Sequence, residues 1–280
     1  MGFRNKFGMT KTNPMKITIL TLFPEMFRGP FDHSIIKRVK EKGLVEIEYI
    51  NIRDFGLGKH KVIDDTPYGG GVGMVMRVDV VHEAIEEARS RHSGRVQNLS
   101  ETSVSDVRDS GPDEGGRLLD RGGDARMTEE KARGTSEKVV LLTASGKQFK
   151  QSIAREYSQL DHIILICGHY EGIDDRIRNY IDEEISIGDF VLTGGEIPAM
   201  LIADAVTRLL PGAITEGSVE DESFSVEDLL EYPHYTKPQE YDGHTVPEIL
   251  ISGNHPKIDE WRREEAIKKT KAVRPDLLKK

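Results

Sequence analysis

Three short glycine-rich segments hold the residues whose types and spacing could bind a ligand. They are residues 143–146 (Thr-Ala-Ser-Gly), 168–172 (Gly-His-Tyr-Glu-Gly) and 187–196 (Ile-Gly-Asp-Phe-Val-Leu-Thr-Gly-Gly-Glu), and each follows a stretch typical of an apolar strand. Open α/β sheets bind ligands at the carboxyl ends of their strands, so these segments predict one composite pocket. Close backbone beside apolar side chains suits the flat ring of adenosine, which favours a nucleoside-type cofactor over ATP.

Arg208 is the candidate for charge chemistry, because it is the only arginine on an otherwise apolar predicted helix. One interpretation is a helix-stabilising ion pair with Asp204, four residues earlier, which contributes about 0.3–0.5 kcal/mol. The other is that Arg208 faces the acidic loop at 220–222 (Glu-Asp-Glu). A guanidinium beside a carboxylate can stabilise an anion while a proton is removed. The residues alone leave both interpretations open.

Other motifs match known chemistry only in part. Residues 67–74 lack the Gly-Lys-Ser/Thr end of a Walker loop and the third small residue of a dinucleotide fingerprint, which leaves a tight turn or a close approach to a flat ligand. His169 and Glu171 have the spacing of half a zinc-deaminase motif, without its Pro-Cys-x-x-Cys partner. The aspartates at 64–65 and 174–175 are more typical of solvated turns than of a hard-metal site. We therefore predict no metal site and disfavour a phosphohydrolase.

Composition restricts the class of protein. The 280 residues carry 39 Lys and Arg against 48 Asp and Glu, a net charge of −9 that argues against a generic nucleic-acid binder. A basic track at 53 and 59–61, together with a basic C-terminal helix, would still hold RNA locally. The single cysteine, Cys167, excludes an internal disulfide and a multi-cysteine metal site. Because neither a membrane-length apolar run nor an apolar signal segment is seen, we expect a cytoplasmic protein that does not bind membranes.

The elements that must position these residues alternate between strands and helices. Apolar runs at 16–23, 45–50, 139–142, 162–167 and 185–192 predict strands, and amphipathic or apolar patterns at 32–42, 78–89, 148–157, 196–210 and 256–271 predict helices. Nearly all-apolar strands separated by helices predict a parallel sheet that is buried on both faces. Apolar residues lie on most of the circumference of the helix at 196–210, so we expect it to be buried.

Changes in composition divide the chain into segments. We predict a flexible tail at 1–14, a cofactor-binding domain at 15–210, an interdomain loop at 211–228 and a helical domain at 229–280. Residues 90–137 are rich in Ser, Gly, Arg, Asp and Glu and lack aromatic side chains, so they bury too little apolar surface to offset their ordering entropy. They predict a disordered insertion.

Six blocks in one order carry a resemblance to a known family. From about residue 15 to residue 280, apart from 90–137, the chain resembles the bacterial tRNA (guanine-N1-)-methyltransferases, the TrmD family. The matching blocks are residues 22–27, 64–74, 167–174, 186–196, 233–238 and 250–255. Several long blocks in the same order are specific, whereas a single one would not be.

The resemblance implies a SPOUT-type α/β fold, in which the C-terminal half of a parallel sheet is threaded into a trefoil knot, followed by a small C-terminal helical domain that holds tRNA. It implies a homodimer with its active site at the subunit interface, no DNA partner, and methyl transfer from S-adenosylmethionine to N1 of guanosine 37, beside the anticodon. Magnesium is linked to the family, but the sequence gives no independent support for a magnesium site. The implied cofactor contacts are Leu141, Leu142, Gly168, Tyr170, Glu171, Ile187, Gly188, Asp189, Phe190, Val191, Leu192, Gly194 and Gly195.

The resemblance also implies the catalytic groups, with departures. Arg208 occupies the position of the family's essential arginine and would stabilise charge at guanine O6. The family's base is an aspartate directly before Ser-Phe, where this chain has Glu222, preceded by Asp221, so both are candidates. The family usually has Ser-Pro-Gln-Gly where this chain has Thr-Ala-Ser-Gly at 143–146. The changed base leaves an alternative function, a catalytically inactive tRNA-binding protein of the same fold.

Overall fold

A computed structural model describes residues 13–105, 136–215, 222–224 and 229–278. The chain divides into two compact units, Met1–Ala213 and Ile214–Lys280. Among the described residues, no helix combines the length and the apolar character needed to cross a membrane.

The first unit is a mixed α/β structure built on a five-stranded parallel sheet, as predicted. Its strands are β1 (Met15–Thr21), β2 (Val45–Asn51), β3 (Asp64–Asp65), β4 (Val75–Met76), β5 (Glu137–Gln148), β6 (His162–Cys167) and β7 (Glu183–Ser186). Its α-helices are α1 (Ser34–Glu41), α2 (Val78–Ser105), α3 (Gln151–Tyr157) and α4 (Glu196–Thr207), and its 3-10 helices are Pro24–Phe27, Ile52–Phe55 and Asp175–Asn179. The parallel sheet has the strand order β2-β1-β6-β5-β7, and β3 pairs with β4 in a separate antiparallel hairpin.

Strand β6 explains why the sequence here is apolar throughout. It lies between β1 and β5, and all six of its residues are buried. Because side chains alternate along a strand, Ile163 and Leu165 pack into one core cluster, with residues of α1, α3 and α4, while Ile164 and Ile166 pack into the other, against α2. Complete burial of one such side chain stabilises the fold by about 1.5–3 kcal/mol. The sheet is therefore the middle layer of three.

Helix α2 is longer than the sequence predicted. It continues from Val78 to Ser105, so the helix does not end at residue 89 and the predicted disordered insertion at 90–137 is wrong for residues 90–105. The residues of α2 that belong to the core cluster lie between Val80 and Ala88, and beyond them Arg91 forms an ion pair with Glu87, four residues earlier, at 2.7 Å. Residues 106–135 of the predicted insertion lie outside the described residues, and β5 already begins at Glu137.

Two other predicted boundaries also change. The strand predicted at 185–192 is Glu183–Ser186, and the chain from residue 187 to residue 195 is a loop. Helix α4 ends at Thr207 rather than at 210, and it is not buried all round. One stripe of α4, formed by Ile197, Leu201 and Asp204, is exposed to solvent. The apolar sequence of α4 did not show that this stripe is left uncovered by the other described residues of the chain.

The second unit contains a short hairpin and one long helix. The hairpin joins β8 (Glu240–Tyr241) to β9 (His244–Thr245), and the helix is α5 (His255–Val273), with 3-10 helices at Glu248–Ile251 and Pro275–Leu278. The side chain of Asn254 caps α5 by accepting a hydrogen bond from the backbone of Lys257. Buried Thr270 ties the helix to the preceding chain, because its hydroxyl accepts a hydrogen bond from the backbone N–H of Leu230 at 2.9 Å.

Candidate active site

A cavity of about 360 Å³ lies at the carboxyl ends of β6 and β7 and beside residues 141–145 of β5. Its walls come from the three glycine-rich segments, so the composite pocket predicted from the sequence is present. Of the thirteen residues that the resemblance implies as cofactor contacts, these twelve line the cavity: Leu141, Leu142, Gly168, Tyr170, Glu171, Ile187, Gly188, Phe190, Val191, Leu192, Gly194 and Gly195. The thirteenth, Asp189, is exposed and is not among the lining residues.

Two adjacent glycines allow the loops to meet at the back of this cavity. A Cβ atom on Gly195 would lie 2.5 Å from the Cα of Cys167, and the N–H of Gly195 donates to the carbonyl of Gly168 at 3.1 Å. A Cβ atom on Gly194 would lie 2.3 Å from the ring of His169. A side chain at Gly195 would force the loop after β7 away from the backbone at the end of β6, and one at Gly194 would displace the side chains of His169 and Glu196. Burial also raises the pKa of the Cys167 thiol, which keeps that sulfur unreactive.

A buried hydrogen-bonded group, missed by sequence reasoning, lies beside the two glycines. His169 Nε2 lies 2.8 Å from both carboxylate oxygens of Glu196, and the hydroxyl of Thr21 donates to Glu196 Oε1 at 2.6 Å. Glu196 is only 2% exposed. Burial alone would raise the pKa of Glu196, but the hydrogen bonds from His169 and Thr21 outweigh it and the pKa is lowered. The carboxylate is therefore ionised at neutral pH.

A fourth glycine-rich segment, the loop at 67–74, lies against the loop that follows β6. The backbone N–H of Glu171 donates to Met74 O at 3.1 Å, and Met76 N donates to Gly172 O at 2.9 Å. Tyr68, by contrast, is fully exposed at the tip of the loop. The segment is therefore anchored beside the cavity at one end and presents an aromatic ring to solvent at the other.

The catalytic candidates are placed differently from the cofactor candidates. Arg208 directly follows α4 and is half-buried, and it is not among the residues that line the cavity. It lies twelve residues after Glu196, about 18 Å along the helix axis at 1.5 Å per residue. Glu222 belongs to the second unit and is half-buried, and Asp221 lies outside the described residues.

The paired aspartates are held by arginines. Arg176 forms two hydrogen bonds to the Asp174 carboxylate, at 2.9 and 2.6 Å, and lowers the pKa of Asp174 to about 2. Asp65 is 3.4 Å from Arg77, which also binds Asp79. Within the described part of the chain, no group of three or more His, Cys, Asp or Glu side chains is arranged to hold a metal ion.

The basic residues picked out in the sequence lie on the surface. The side chains at 53 and 59–61 are exposed, although Lys61 is paired with Asp54 at 2.7 Å. On α5, Lys268 and Lys271 are exposed, and the guanidinium of Arg262 lies 5.0 Å from the ring centroid of Tyr232. Within the second unit, the basic side chains of α5 and the ring of Tyr232 have the composition of an RNA-binding surface.

Fold and site together define a class: an α/β protein with a parallel sheet whose carboxyl edge forms a pocket of nucleoside size between glycine-rich loops. The particular family follows from comparison with known proteins. The chain matches the family tRNA (Guanine-1)-methyltransferase TrmD over residues 15–105 and 116–280, and it belongs to that family. The resemblance inferred from the six blocks is confirmed. Only residues 106–115 fall between the two matched ranges. The segment that departs from the family is therefore much shorter than the predicted insertion at 90–137.

Full-length relatives agree with the family match. A protein named tRNA (guanine-N(1)-)-methyltransferase from Desulforudis audaxviator is 48% identical over 265 residues, which cover 94% of this chain and 90% of the relative. Proteins of the same name from Dictyoglomus turgidum (46% identical, covering 95% and 91%) and Clostridioides difficile (45% identical, covering 95% and 98%) are similar along their whole length.

Proposed function

We propose that this protein transfers a methyl group from S-adenosylmethionine to N1 of guanosine 37 in tRNA. The observation that carries the proposal is the cavity at the carboxyl edge of the sheet, lined by twelve of the thirteen residues that the family resemblance implies, in a chain that belongs to the TrmD family. The reaction takes place where tRNA matures, which we take to be the cytoplasm.

The residues of the cavity fit an adenosine-containing cofactor. A volume of about 360 Å³ falls within the range of small-molecule pockets, roughly 300–1,000 Å³. Leu141, Leu142 and Ile187 supply apolar walls for a flat ring, and the missing side chains at Gly194 and Gly195 let the loop after β7 pack against the end of β6, where it forms part of the cavity wall. When bound, S-adenosylmethionine supplies an already activated methyl group. The protein's task is therefore to hold guanine N1 in line with that methyl group.

Proton removal is the other task, because guanine N1 carries a hydrogen that must leave as the N–CH₃ bond forms. We propose that the carboxylate of Glu222, or that of Asp221, accepts this proton. Arg208 donates hydrogen bonds to guanine O6, where negative charge develops. When the carboxylate and the guanidinium act together, the charge of each is compensated.

We further propose that the enzyme is a homodimer, because one chain leaves two features incomplete. Helix α4 presents exposed Ile197 and Leu201 to solvent, and the cavity loop presents Phe190 and Val191, the latter 88% exposed. Arg208 is separated from its own chain's cavity by about the length of α4. A second copy packed on this face would cover the apolar residues and bring its Arg208 to the cavity. Leu201→Glu should produce a monomer in sedimentation, whereas Leu278→Glu, an equally charged change at another exposed leucine, should not; a dimeric Leu201→Glu protein would contradict this interface.

The SPOUT trefoil knot and the tRNA-holding role of the second unit belong to the same proposal. Support for the knot comes from the strand order, in which β7 lies beyond β5, and from the return of the chain to β6 through the bond between Gly195 and Gly168. An experimental structure in which residues 137–210 are not threaded through a loop of the chain would refute the knot. Support for the tRNA role comes from the basic residues of α5. Binding that weakens steeply with salt is expected, and a flat salt response would refute that role.

The decisive experiment compares two tRNA transcripts that differ only in guanosine or adenosine at position 37. We expect labelled methyl groups from S-adenosylmethionine to enter the guanosine transcript alone. Transfer to both transcripts would refute the proposal that guanosine 37 is the target nucleotide. Transfer to neither, by folded protein that still binds the cofactor, would refute the enzymatic function and leave a tRNA-binding protein.

Arg208→Ala tests the proposed catalytic arginine. We expect turnover to fall about 100- to 1,000-fold, as when a donor to a developing oxyanion is removed, while the affinity for S-adenosylhomocysteine is unchanged. Arg208→Lys keeps the charge but loses the guanidinium fork, so it should restore activity only in part. Wild-type turnover in the alanine variant would remove Arg208 from the mechanism.

A further inference from the structure

We propose that His169 and Glu196 are positioning residues, which clamp the two principal loops of the cofactor cavity against each other and against the end of β1. The inference rests on the proposed function and extends it to groups that do not themselves react. Neither residue is among the cofactor contacts that the family resemblance implies.

The position of the pair in the chain is the first argument. His169 lines the cavity after β6, between Gly168 and Tyr170, whereas Glu196 lies behind the wall and directly follows Gly195, which lines the cavity after β7. The bonds at 2.8 Å therefore join loops whose neighbouring residues form opposite walls. Thr21, the last residue of β1, adds a third element through its bond to Glu196 at 2.6 Å.

The surroundings of the pair are the second argument. Glu196 is buried, and the edge of Phe23 packs on the His169 ring with centroids 5.1 Å apart, so water does not substitute readily for either partner. An ionised carboxylate accepts hydrogen bonds only, so His169 must carry a hydrogen on Nε2 and donate it. Loss of His169 leaves Glu196 with one side-chain donor, Thr21, and the buried charge must then draw in water or move.

The third argument is that the pair contacts backbone of the cavity wall. This contact distinguishes a role in positioning the wall from a role in stability alone. The space above Gly194 is filled by this pair: a Cβ there would be 2.3 Å from the His169 ring and 2.6 Å from Glu196 Oε2. The two side chains therefore pack directly against Gly194, which lines the cavity, and a shift of either one toward it would press on the cavity wall. Displacement of a cavity wall by about 1 Å can cost a hundredfold in a positioned reaction.

A matched pair at the other end of β6 provides the control. His162 Nδ1 lies 2.7 Å from Glu137 Oε2, so the chemistry is the same, but neither residue lines the cavity. Glu196→Gln and Glu137→Gln remove one negative charge each and preserve the shape of the side chain. Both should lower the thermal midpoint of unfolding.

The experiment measures the dissociation constant for S-adenosylhomocysteine by calorimetry, at a temperature where each variant is folded, and kcat and KM for methyl transfer. For Glu196→Gln and for His169→Phe we expect the dissociation constant to rise at least tenfold, whereas for Glu137→Gln it should stay within twofold of the wild type. His169→Gln, whose amide can still donate to Glu196, should recover part of the lost affinity.

The outcomes separate this inference from the proposed function. Wild-type protein that neither binds S-adenosylhomocysteine nor methylates tRNA refutes the proposed function itself. If the wild type does both, unchanged affinity in folded Glu196→Gln refutes the clamp. Equal losses in Glu196→Gln and Glu137→Gln also refute it, because they would show a general effect of stability. Should Glu196→Gln fail to fold, Thr21→Val removes one bond to the same carboxylate, and twofold or smaller weakening in that variant counts against the clamp.

Discussion

Strand β6 carries a histidine–glutamate pair at each end, and the two pairs have opposite surroundings. At the amino end, His162 is fully buried and bonds to Glu137 and, through Nε2, to Thr18 Oγ1 at 2.8 Å. At the carboxyl end, His169 and Glu196 stand beside an open cavity. The same type of interaction is thus buried in the packing at the amino end of the strand and lies beside an open cavity at its carboxyl end.

The amino edge is closed by partners from many elements. The ring of His92, on α2, lies over that of His162 with centroids 4.4 Å apart, and Arg89 bonds to Glu137 at 3.1 Å. Buried Lys16, at the start of β1, is paired with Glu48 of β2 at 2.8 Å. Ion pairs and rings therefore fix this end of the strands to one another.

The carboxyl edge is made of backbone that few side chains restrain. Tyr170 has a positive φ of 59°, uncommon for a residue with a Cβ, and Phe190 and Val191 are exposed. Ligand-binding segments are drawn from such lightly restrained parts of a fold. The comparison teaches that the two edges are held by different means: side-chain pairs and rings hold the amino edge, and close backbone packing at glycines shapes the cavity at the carboxyl edge. Each prediction below tests that division.

The largest expected effect is at the carboxyl edge, for Gly195→Ala. Its new methyl group would lie 2.5 Å from the Cα of Cys167, so backbone must move. We expect a loss of about 3 kcal/mol in the free energy of unfolding, the upper end of overpacking costs, measured by denaturant titration. Gly168→Ala, whose methyl group would meet nothing nearer than 3.7 Å, is the control and should lose less than about 1 kcal/mol. Equal stabilities would show that these loops adapt more readily than their packing indicates.

A smaller loss of stability is expected at the amino edge, for His162→Phe. The substitution fills the space of the ring but leaves Glu137 and Thr18 without this partner, which should cost about 1–3 kcal/mol. Thr18→Val removes a single hydrogen bond and should cost about 1 kcal/mol. Affinity for S-adenosylhomocysteine should be unchanged in both variants. A large loss of affinity would break the division between the two edges.

Acidification should weaken the amino edge in two separate ranges of pH. Burial, with the nearby charges of His162 and Lys16, lowers the pKa of His92 from its ordinary 6.5. The unfolded chain then binds the proton more readily, so the free energy of unfolding falls as pH drops below about 6.5. The pKa of Glu137 is lowered as well, because hydrogen bonds from His162 and Arg89 outweigh its burial, and its contribution is lost only below about pH 4.5. Denaturant titrations between pH 7 and 5 should show a smaller fall in the free energy of unfolding for His92→Gln than for the wild type. A fall of equal size in His92→Gln would contradict this assignment.

The smallest effect is expected for Arg91→Ala, at the outer surface of the same edge. Arg91 is paired with Glu48 at 2.6 Å and with Glu87 at 2.7 Å, but its side chain is 45% exposed. Exposed pairs contribute about 0.2–1 kcal/mol and are screened by salt. The difference from wild type in denaturant titration should therefore shrink further in 1 M salt. A salt-independent loss above about 1 kcal/mol would place Arg91 among the structural pairs of the edge.

The sheet was predictable from the sequence because its central strand is buried on both faces, which gives an unbroken apolar run at 163–167. The extent of α2 was not, because its residues in the core cluster end at Ala88 and the sequence beyond them has no apolar period. The polar residues 143–148 likewise concealed the continuation of β5 to Gln148, where the pairing with β7 shifts register between Leu142 and Lys147.

Part of the candidate site was likewise predictable from the sequence, and part was not. The cavity loops were predictable because glycine-rich segments after parallel strands meet at one edge. The bond between Thr21 and Glu196 spans 175 residues, and no spacing in the sequence links them; the only signal was an acid at the start of an apolar helix. The distance of Arg208 from the cavity along α4 also became visible only with the helix in place.

The pairing of β1 with β6 determines when the protein can fold during synthesis. Thr18 and His162 bond across 144 residues of chain, so β1 leaves the ribosome long before its inner neighbour exists. At about 5–20 residues per second, the gap lasts roughly 7–30 s. Through that interval the apolar edge of β1 lacks its partner and depends on β2, α1 and cellular chaperones to avoid aggregation.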